Sequence, residues 1–154
     1  CANIIRSRHG NDFWTVVPTN LFRCMDGWAY LNIVPTFWDA FAIFLKRPEL
    51  LIDKRFKSNN LRSRNREALH EIIADTIAKM TRSEIEQRAT ENRVPVGVVL
   101  TLSEVLNDPH LKQREFWQSV TAGHSTIKSP RPAWKIRGDS LSEFQLTEPK
   151  KTHG

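Results

Sequence analysis

Asp26-Gly27 separates two extended runs rich in aromatic and β-branched residues, Leu21-Phe22-Arg23-Cys24 and Trp28 through Val34. An Asp-Gly pair between such runs is a strong hairpin signal, because both residues tolerate the backbone that a tight turn requires. One antiparallel strand pair is thereby fixed, and the rest of the chain must pack around it. From Pro35 the period changes. Phe37, Phe41, Phe44 and Leu45 recur at three- and four-residue spacing, which predicts a helix opened by Pro35-Thr36 and ended by Pro48. The apolar region Gly27 to Leu45 is long enough to cross a bilayer, but Pro35 and Asp39 interrupt it, and an aspartate at mid-membrane costs about 2.5–3.5 kcal/mol. It reads as core, and no membrane partner is expected.

A second helix is predicted from about Arg62 to Met80, with Leu69, Ile72, Ile73, Ile77 and Met80 on one stripe. A third begins at Thr81, whose hydroxyl and Glu84 make a T-x-x-E capping box, and Thr101-Leu102-Ser103-Glu104 supplies another for a helix carrying Val105 and Leu106. Between them, Val94 to Leu100 is a short β-branched run. Extended pieces near Phe116–Thr121 and Ser125–Lys128 surround Gly123. Strands at both ends with helices between give an α+β class with a small, mostly antiparallel sheet and several helices. Residues 1–20 read as a connector entering the domain, 21–129 as a small α+β domain, and 130–154 as a second connector leaving it.

The 154 residues, 40% hydrophobic and 26% charged, suffice for one globular core and exclude disordered and fibrous classes. Lys plus Arg at 23 against Asp plus Glu at 17 gives +6, which favours anionic ligands without identifying one. Cys1 and Cys24 fit neither a metal-knuckle spacing nor a disulfide framework, so they read as reduced thiols of a cytoplasmic protein. The chain opens at Cys1 without a methionine or a signal pattern, and is expected to be a piece of a longer protein.

Gly-rich phosphate loops, H-E-x-x-H, C-x-x-C, G-x-S-x-G and EF-hand patterns do not occur in the sequence. Histidines 9, 70, 110, 124 and 153 are never paired at helical spacing, so no metal is assigned. Lys54, Arg55, Lys57, Arg62, Arg64 and Arg66 form a basic stretch that could meet phosphates, but a solvated helix start is the simpler reading. Trp14, Trp28, Trp38, Trp117 and Trp134 are spread without a basic-aromatic alternation. They read as packing residues, and no nucleic-acid partner is expected. A basic polyanion-binding module remains an alternative from a different functional class.

Five motifs in order carry a resemblance. They are Asp26-Gly27 with its apolar strand and Phe37-Trp38; Pro48-Glu49-Leu50 followed by Asp53-Lys54-Arg55-Phe56; and Arg62-x-x-Asn65-x-x-x-Leu69. Two more follow, Val94-Pro95-Val96-Gly97-Val98-Val99 and Glu104 through Trp117, which contains Asp108-Pro109-His110-Leu111 and Arg114-Glu115-Phe116-Trp117. Together they resemble the class III CoA-transferase (CaiB/BaiF) family of formyl-CoA transferase, carnitine-CoA transferase and α-methylacyl-CoA racemase, over roughly residues 11 to 135. Arg93 stands where a glycine is usual in the family, and Val98 where a proline is usual.

The resemblance implies the small domain of such an enzyme, in an interlocked homodimer. It implies CoA transfer between an acyl-CoA thioester and a free carboxylic acid, with an aspartate attacking the thioester to form a mixed anhydride. CoA thioester is then a substrate, and no tightly bound cofactor is expected. The seven aspartates here, 12, 26, 39, 53, 75, 108 and 139, have turn, helix-surface or Asp-Pro surroundings. None is assigned as catalytic, the nucleophile is expected upstream, and no CoA-contacting residue is assigned. Asp26 and Asp108 are expected to shape turns through local side-chain to backbone hydrogen bonds. Racemases of the family tend to carry a glutamate just before the residues matching Pro35-Thr36-Phe37-Trp38. Val34 occupies that place here and cannot move a proton, so transferase is preferred over racemase. Trp14, Trp117 and Trp134 are expected to pack on chain outside the domain, leaving residues 1–20 and 130–154 extended and poorly packed on it.

Overall fold

The computed structural model describes residues 10–13 and 15–132. Trp14 and Trp134 lie outside the described residues, as does most of the 130–154 connector. The chain divides into two compact units, Cys1–Val99 and Leu100–Gly154.

In the first unit, β1 (Thr19–Cys24) and β2 (Gly27–Asn32) form the hairpin set by Asp26-Gly27, with Phe22 opposite Ala29 and Arg23 opposite Trp28. β3 (Val96–Val98) joins the other edge of β2 antiparallel, pairing Gly97 with Tyr30. Alternation along β2 turns Ala29 and Leu31 inward and leaves Trp28 and Tyr30 exposed. Helices cover the inner face. A 3-10 turn (Pro35–Phe37) leads into α1 (Trp38–Phe44), followed by α2 (Glu49–Ile52), α3 (Asn59–Arg64), α4 (Arg66–Ile77) and α5 (Arg82–Asn92). Phe41 and Phe44 of α1, Leu69, Ile73 and Ile77 of α4, and Ile85 of α5 close the core on Phe22, Leu31 and Ile33.

Two helix boundaries differ from the sequence reading. Pro48 does not end α1. The helix stops at Leu45, Lys46 takes a left-handed φ of 57°, and Arg47 N–H reaches the Ala42 carbonyl at 2.9 Å; Pro48 instead caps α2. The helix expected from Arg62 to Met80 is two helices broken at Asn65, whose amide Nδ2 donates to the Leu61 carbonyl at 2.9 Å and the Arg55 carbonyl at 3.3 Å. A side chain that competes with the helix ladder for its carbonyls ends the helix there. The Thr81 and Thr101 capping boxes are both formed.

In the second unit, α6 (Leu102–Asn107) and α7 (Pro109–Gln113) precede the hairpin β4 (Trp117–Ala122) and β5 (Ser125–Pro130). Sheet structure is therefore split into a three-stranded and a two-stranded piece, both antiparallel, within an α+β architecture. Asp108 Oδ1 accepts the Leu111 N–H at 2.8 Å and Pro109 stands at the first helical position, so Asp-Pro starts α7. Glu115 at φ 52°, with Phe116 N–H returning to the Leu111 carbonyl at 2.9 Å, stops it. The Asp108-to-Trp117 motif is thus a helix with its start and stop. Phe116 and Trp117 pack edge to face at 4.9 Å between ring centroids.

Candidate functional site

The basic stretch expected on a solvated helix start is taken apart by the fold. Arg62 is 2% exposed. Its Nε donates to the Val17 carbonyl at 3.1 Å, its Nη1 to the Phe56 carbonyl at 2.8 Å, and its guanidinium lies 4.2 Å from the Trp38 ring centroid. Burial pushes the Arg62 guanidinium below its ordinary value, opposed by the charge of Asp39. Arg55 pairs with Asp53 at 2.8 Å, closing the Asp53-to-Phe56 turn that places the buried Phe56. Arg66 Nη1 pairs with Asp12 at 2.8 Å, and its Nη2 donates to the Phe13 carbonyl at 3.1 Å. Half of that basic stretch, Arg55, Arg62 and Arg66, is structural wiring, while Lys54, Lys57 and Arg64 stay exposed.

That wiring ties down the residues ahead of β1. Asn59 Nδ2 donates to the Thr15 carbonyl at 2.7 Å and its Oδ1 accepts the Val17 N–H at 3.1 Å, while Val17 itself is fully buried. Asp12, Phe13, Thr15 and Val17 are therefore held by side chains of α3 and α4, contrary, for these residues, to the expectation that 1–20 are poorly packed on the domain. The carbonyls of residues 13, 15 and 17 accept from Arg66, Asn59 and Arg62 respectively. A single sequence carries no local sign of a pairing across more than forty residues.

Asp12 of this segment also lines an open cleft of ≈ 720 Å³, together with Ser63, Arg64, Asn65, Arg66 and His70 among others. His70 stacks edge to face on Phe22 at 5.3 Å, and its buried Nε2 has no hydrogen-bond partner among the described residues. Burial holds its imidazole below the ordinary value; Asp12 opposes this and Arg66 adds to it. His70 was read from sequence as a lone structural histidine, and its packing on Phe22 agrees. The cleft gathers two arginines with Asp12 and Glu67, so its charges offset one another.

The aspartates have structural work. Asp12 and Asp53 sit in ion pairs, and Asp108 caps α7. Asp26 does more than shape its own turn: its Oδ1 accepts the Arg82 N–H at 2.8 Å, tying the hairpin to the start of α5. That contact, with Arg82's charge, holds the carboxyl below the usual range. The expectation for Asp26 was a local bond alone; the long-range one is made because the turn meets a helix N-terminus with N–H groups to satisfy. Val34 lies in extended backbone, and its carbonyl accepts the Phe37 N–H at 2.9 Å, setting the exposed turn Pro35–Phe37 at the end of β2. No group of three or more His, Cys, Asp or Glu side chains able to hold a metal occurs among the described residues. No helix there is long and apolar enough to cross a membrane.

Comparison with known proteins places this architecture. The profile of the family described as CoA-transferase family III matches residues 2–152. A succinyl-CoA–D-citramalate CoA-transferase of Chloroflexus aurantiacus is 31% identical over 122 residues, covering 78% of this chain and 30% of the relative. The mouse succinyl-CoA:glutarate CoA-transferase is 26% identical over 149 residues, covering 93% and 32%. Among solved structures, Rv3272 of Mycobacterium tuberculosis superposes with a TM-score of 0.69 at 25% identity, covering 79% of this chain and 35% of that one. A CaiB/BaiF family protein from Brucella suis shares the fold with a TM-score of 0.74, covering 89% and 35%. The chain spans about a third of the length of the relatives it matches. On a match that runs through nearly all of its residues, the chain belongs to CoA-transferase family III.

Proposed function

We propose that these residues are the small domain of a longer acyl-CoA transferase that moves CoA between a thioester and a free carboxylic acid. The observation that carries this reading is the family match over residues 2–152, joined to relatives whose names are succinyl-CoA transferases. The nucleophile is an aspartate outside the 154 residues. It attacks the thioester carbonyl, the C–S bond breaks, CoA leaves as thiolate, and the acyl group remains as a mixed anhydride on the carboxylate. The occupations of Asp12, Asp26, Asp53 and Asp108 support placing it elsewhere, because each carboxylate is spent on an ion pair or a backbone N–H.

The acid acceptor is of the organic-acid class that the relatives' names describe, the CoA thioester is substrate and not resident cofactor, and the enzyme works as a homodimer in the cytoplasm. Cys24, a free buried thiol, suits a reducing compartment. Val34 supports transfer over α-carbon racemisation, since a valine at the end of β2 offers no group to take up a proton. The test is to incubate the longer polypeptide with succinyl-CoA and a free dicarboxylic acid in deuterated water. Formation of the new CoA thioester, with no deuterium at its α-carbon, is expected. Deuterium wash-in without CoA transfer would reverse the assignment.

A further inference from the structure

The sheet of the first unit has one covered face and one bare one. On the bare face the register sets Arg23 beside Trp28 and Leu21 beside Tyr30, with Gly97 across from Tyr30. Val99 follows, its N–H bonded to the Trp28 carbonyl at 2.8 Å. Trp28 is 43% exposed and Tyr30 42%. The Arg23 guanidinium lies 5.6 Å from the Trp28 ring centroid, and no carboxylate of the described residues pairs with it. Gly97 is unexplained from within: its φ is not positive, and a Cβ added there would meet nothing within 4 Å. Glycine inside a strand with neither reason is a mark of close approach by something outside the sheet.

Trp, Tyr and Arg are the residue types that dominate protein interface hot spots, and here they stand side by side on a sheet face. Small ligands select concave sites, and the open cleft beside His70 does not involve this face. A second copy of the same face is a poor occupant: Leu21, Arg23, Trp28, Tyr30, Gly97 and Val99 include no acid, so a two-fold pairing would set arginine toward arginine. The relatives are about three times as long as this chain and so bring surface that it lacks.

We propose that this face is the docking surface for the portion of the family III polypeptide that lies outside these 154 residues, through an apolar patch that covers Trp28 and Tyr30 and brings a carboxylate to Arg23. The inference rests on the reading that the residues belong to a longer enzyme, but not on which reaction that enzyme performs.

The test is hydroxyl-radical footprinting with mass spectrometry on the 154-residue chain and on the longer polypeptide, each without substrate. Oxidation of Trp28 and Tyr30 in the longer polypeptide is expected to fall several-fold, toward the level of the buried Trp38, which is 5% exposed against 43% for Trp28. Gly97→Gln separates docking from a general change in stability. It is expected to leave the melting temperature of the 154-residue chain unchanged, because the site is open, and to restore oxidation of Trp28 in the longer polypeptide. Equal oxidation of both forms would overturn the proposal, and so would protection that appears only when succinyl-CoA is added, which would make the occupant a small ligand. CoA-transfer activity is measured on the same samples. Transfer without protection sinks the docking surface alone, and protection without transfer sinks the proposed reaction alone.

Discussion

The guanidinium of Arg62 lies 4.2 Å from the centroid of the Trp38 ring, in the interior of the first unit. The ring supplies a negative π face to a cation that no carboxylate of the described residues is bonded to, and the Val17 and Phe56 carbonyls accept two of its N–H groups. One side chain thus joins the segment ahead of β1, the Asp53-to-Phe56 turn and α1.

Arg62→Met keeps the apolar stem but removes both donors, leaving two buried carbonyls unpaired. A loss of about 2–4 kcal/mol in unfolding free energy is expected, read from the urea midpoint. Arg62→Lys is expected to recover little of it, because one ammonium lacks the planar fork that serves two carbonyls and a ring together. A lysine variant as stable as the parent would show that the fork geometry is immaterial.

Arg93 ends α5 in the left-handed region, at φ 53° and ψ 45°, where its relatives are expected to carry glycine. A side chain with a Cβ is strained there by about 1–2 kcal/mol, partly offset by the extra unfolded-state freedom that a glycine brings. Arg93→Gly is therefore expected to stabilise the chain by about 0.5–1 kcal/mol, seen as a raised melting temperature. A lowered one would mean that the arginine makes a compensating contact.

His70 is neutral and partly buried against Phe22, with its pKa depressed in the fold mainly by burial. The unfolded chain therefore takes up the proton first as pH falls. This contribution to stability is fully present above the ordinary imidazole value, about 6.5, and is lost as pH drops from there through the lower folded value. Chemical denaturation across that window should show a stability that rises with pH, and His70→Leu should flatten the slope. An unchanged slope in the variant would assign it to another group.

Asp26 presents the opposite kind of group, an acid with its pKa lowered chiefly by the Arg82 N–H. Its stabilisation is present above the ordinary carboxyl range and disappears as pH falls through the lowered folded value, below about 4. Hydrogen exchange at the Arg82 amide reads the contact directly. Faster exchange is expected in Asp26→Ala than in Asp26→Asn, which keeps an acceptor oxygen. Identical exchange in the two variants would show that the bond does not form.

Local chemistry was legible in the sequence. The Asp26-Gly27 hairpin, the Thr81 and Thr101 capping boxes and the Asp108 cap each depend on residues within a few positions, and each is formed. The break at Asn65 was not, because no proline or glycine lies between Arg62 and Met80 to mark an end, and the bond that ends the first helix is made by an asparagine side chain. Arg62 and Arg66 looked like surface charge. Their true partners, Trp38, Val17 and Asp12, are distant in sequence, and nothing in an arginine's neighbours distinguishes a buried from a solvated one. The Arg62-x-x-Asn65 motif was visible as a resemblance, yet its role needed the fold. For the docking of Asp12, Phe13, Thr15 and Val17, Val17-Pro18 ahead of the first strand was the available signal, and it is too common to carry weight.

The central claim is that the reaction's nucleophile lies outside these residues, and the most direct measurement is a CoA-transfer assay on the 154-residue chain alone beside the longer polypeptide. Succinyl-CoA and a free dicarboxylic acid are supplied to both, and CoA thioesters are resolved by liquid chromatography and mass spectrometry. No exchange is expected from the 154-residue chain, and exchange through a hydroxylamine-trappable aspartyl intermediate is expected from the longer one. Turnover by the 154-residue chain on its own would contradict the account, and would make one of its own carboxylates the nucleophile.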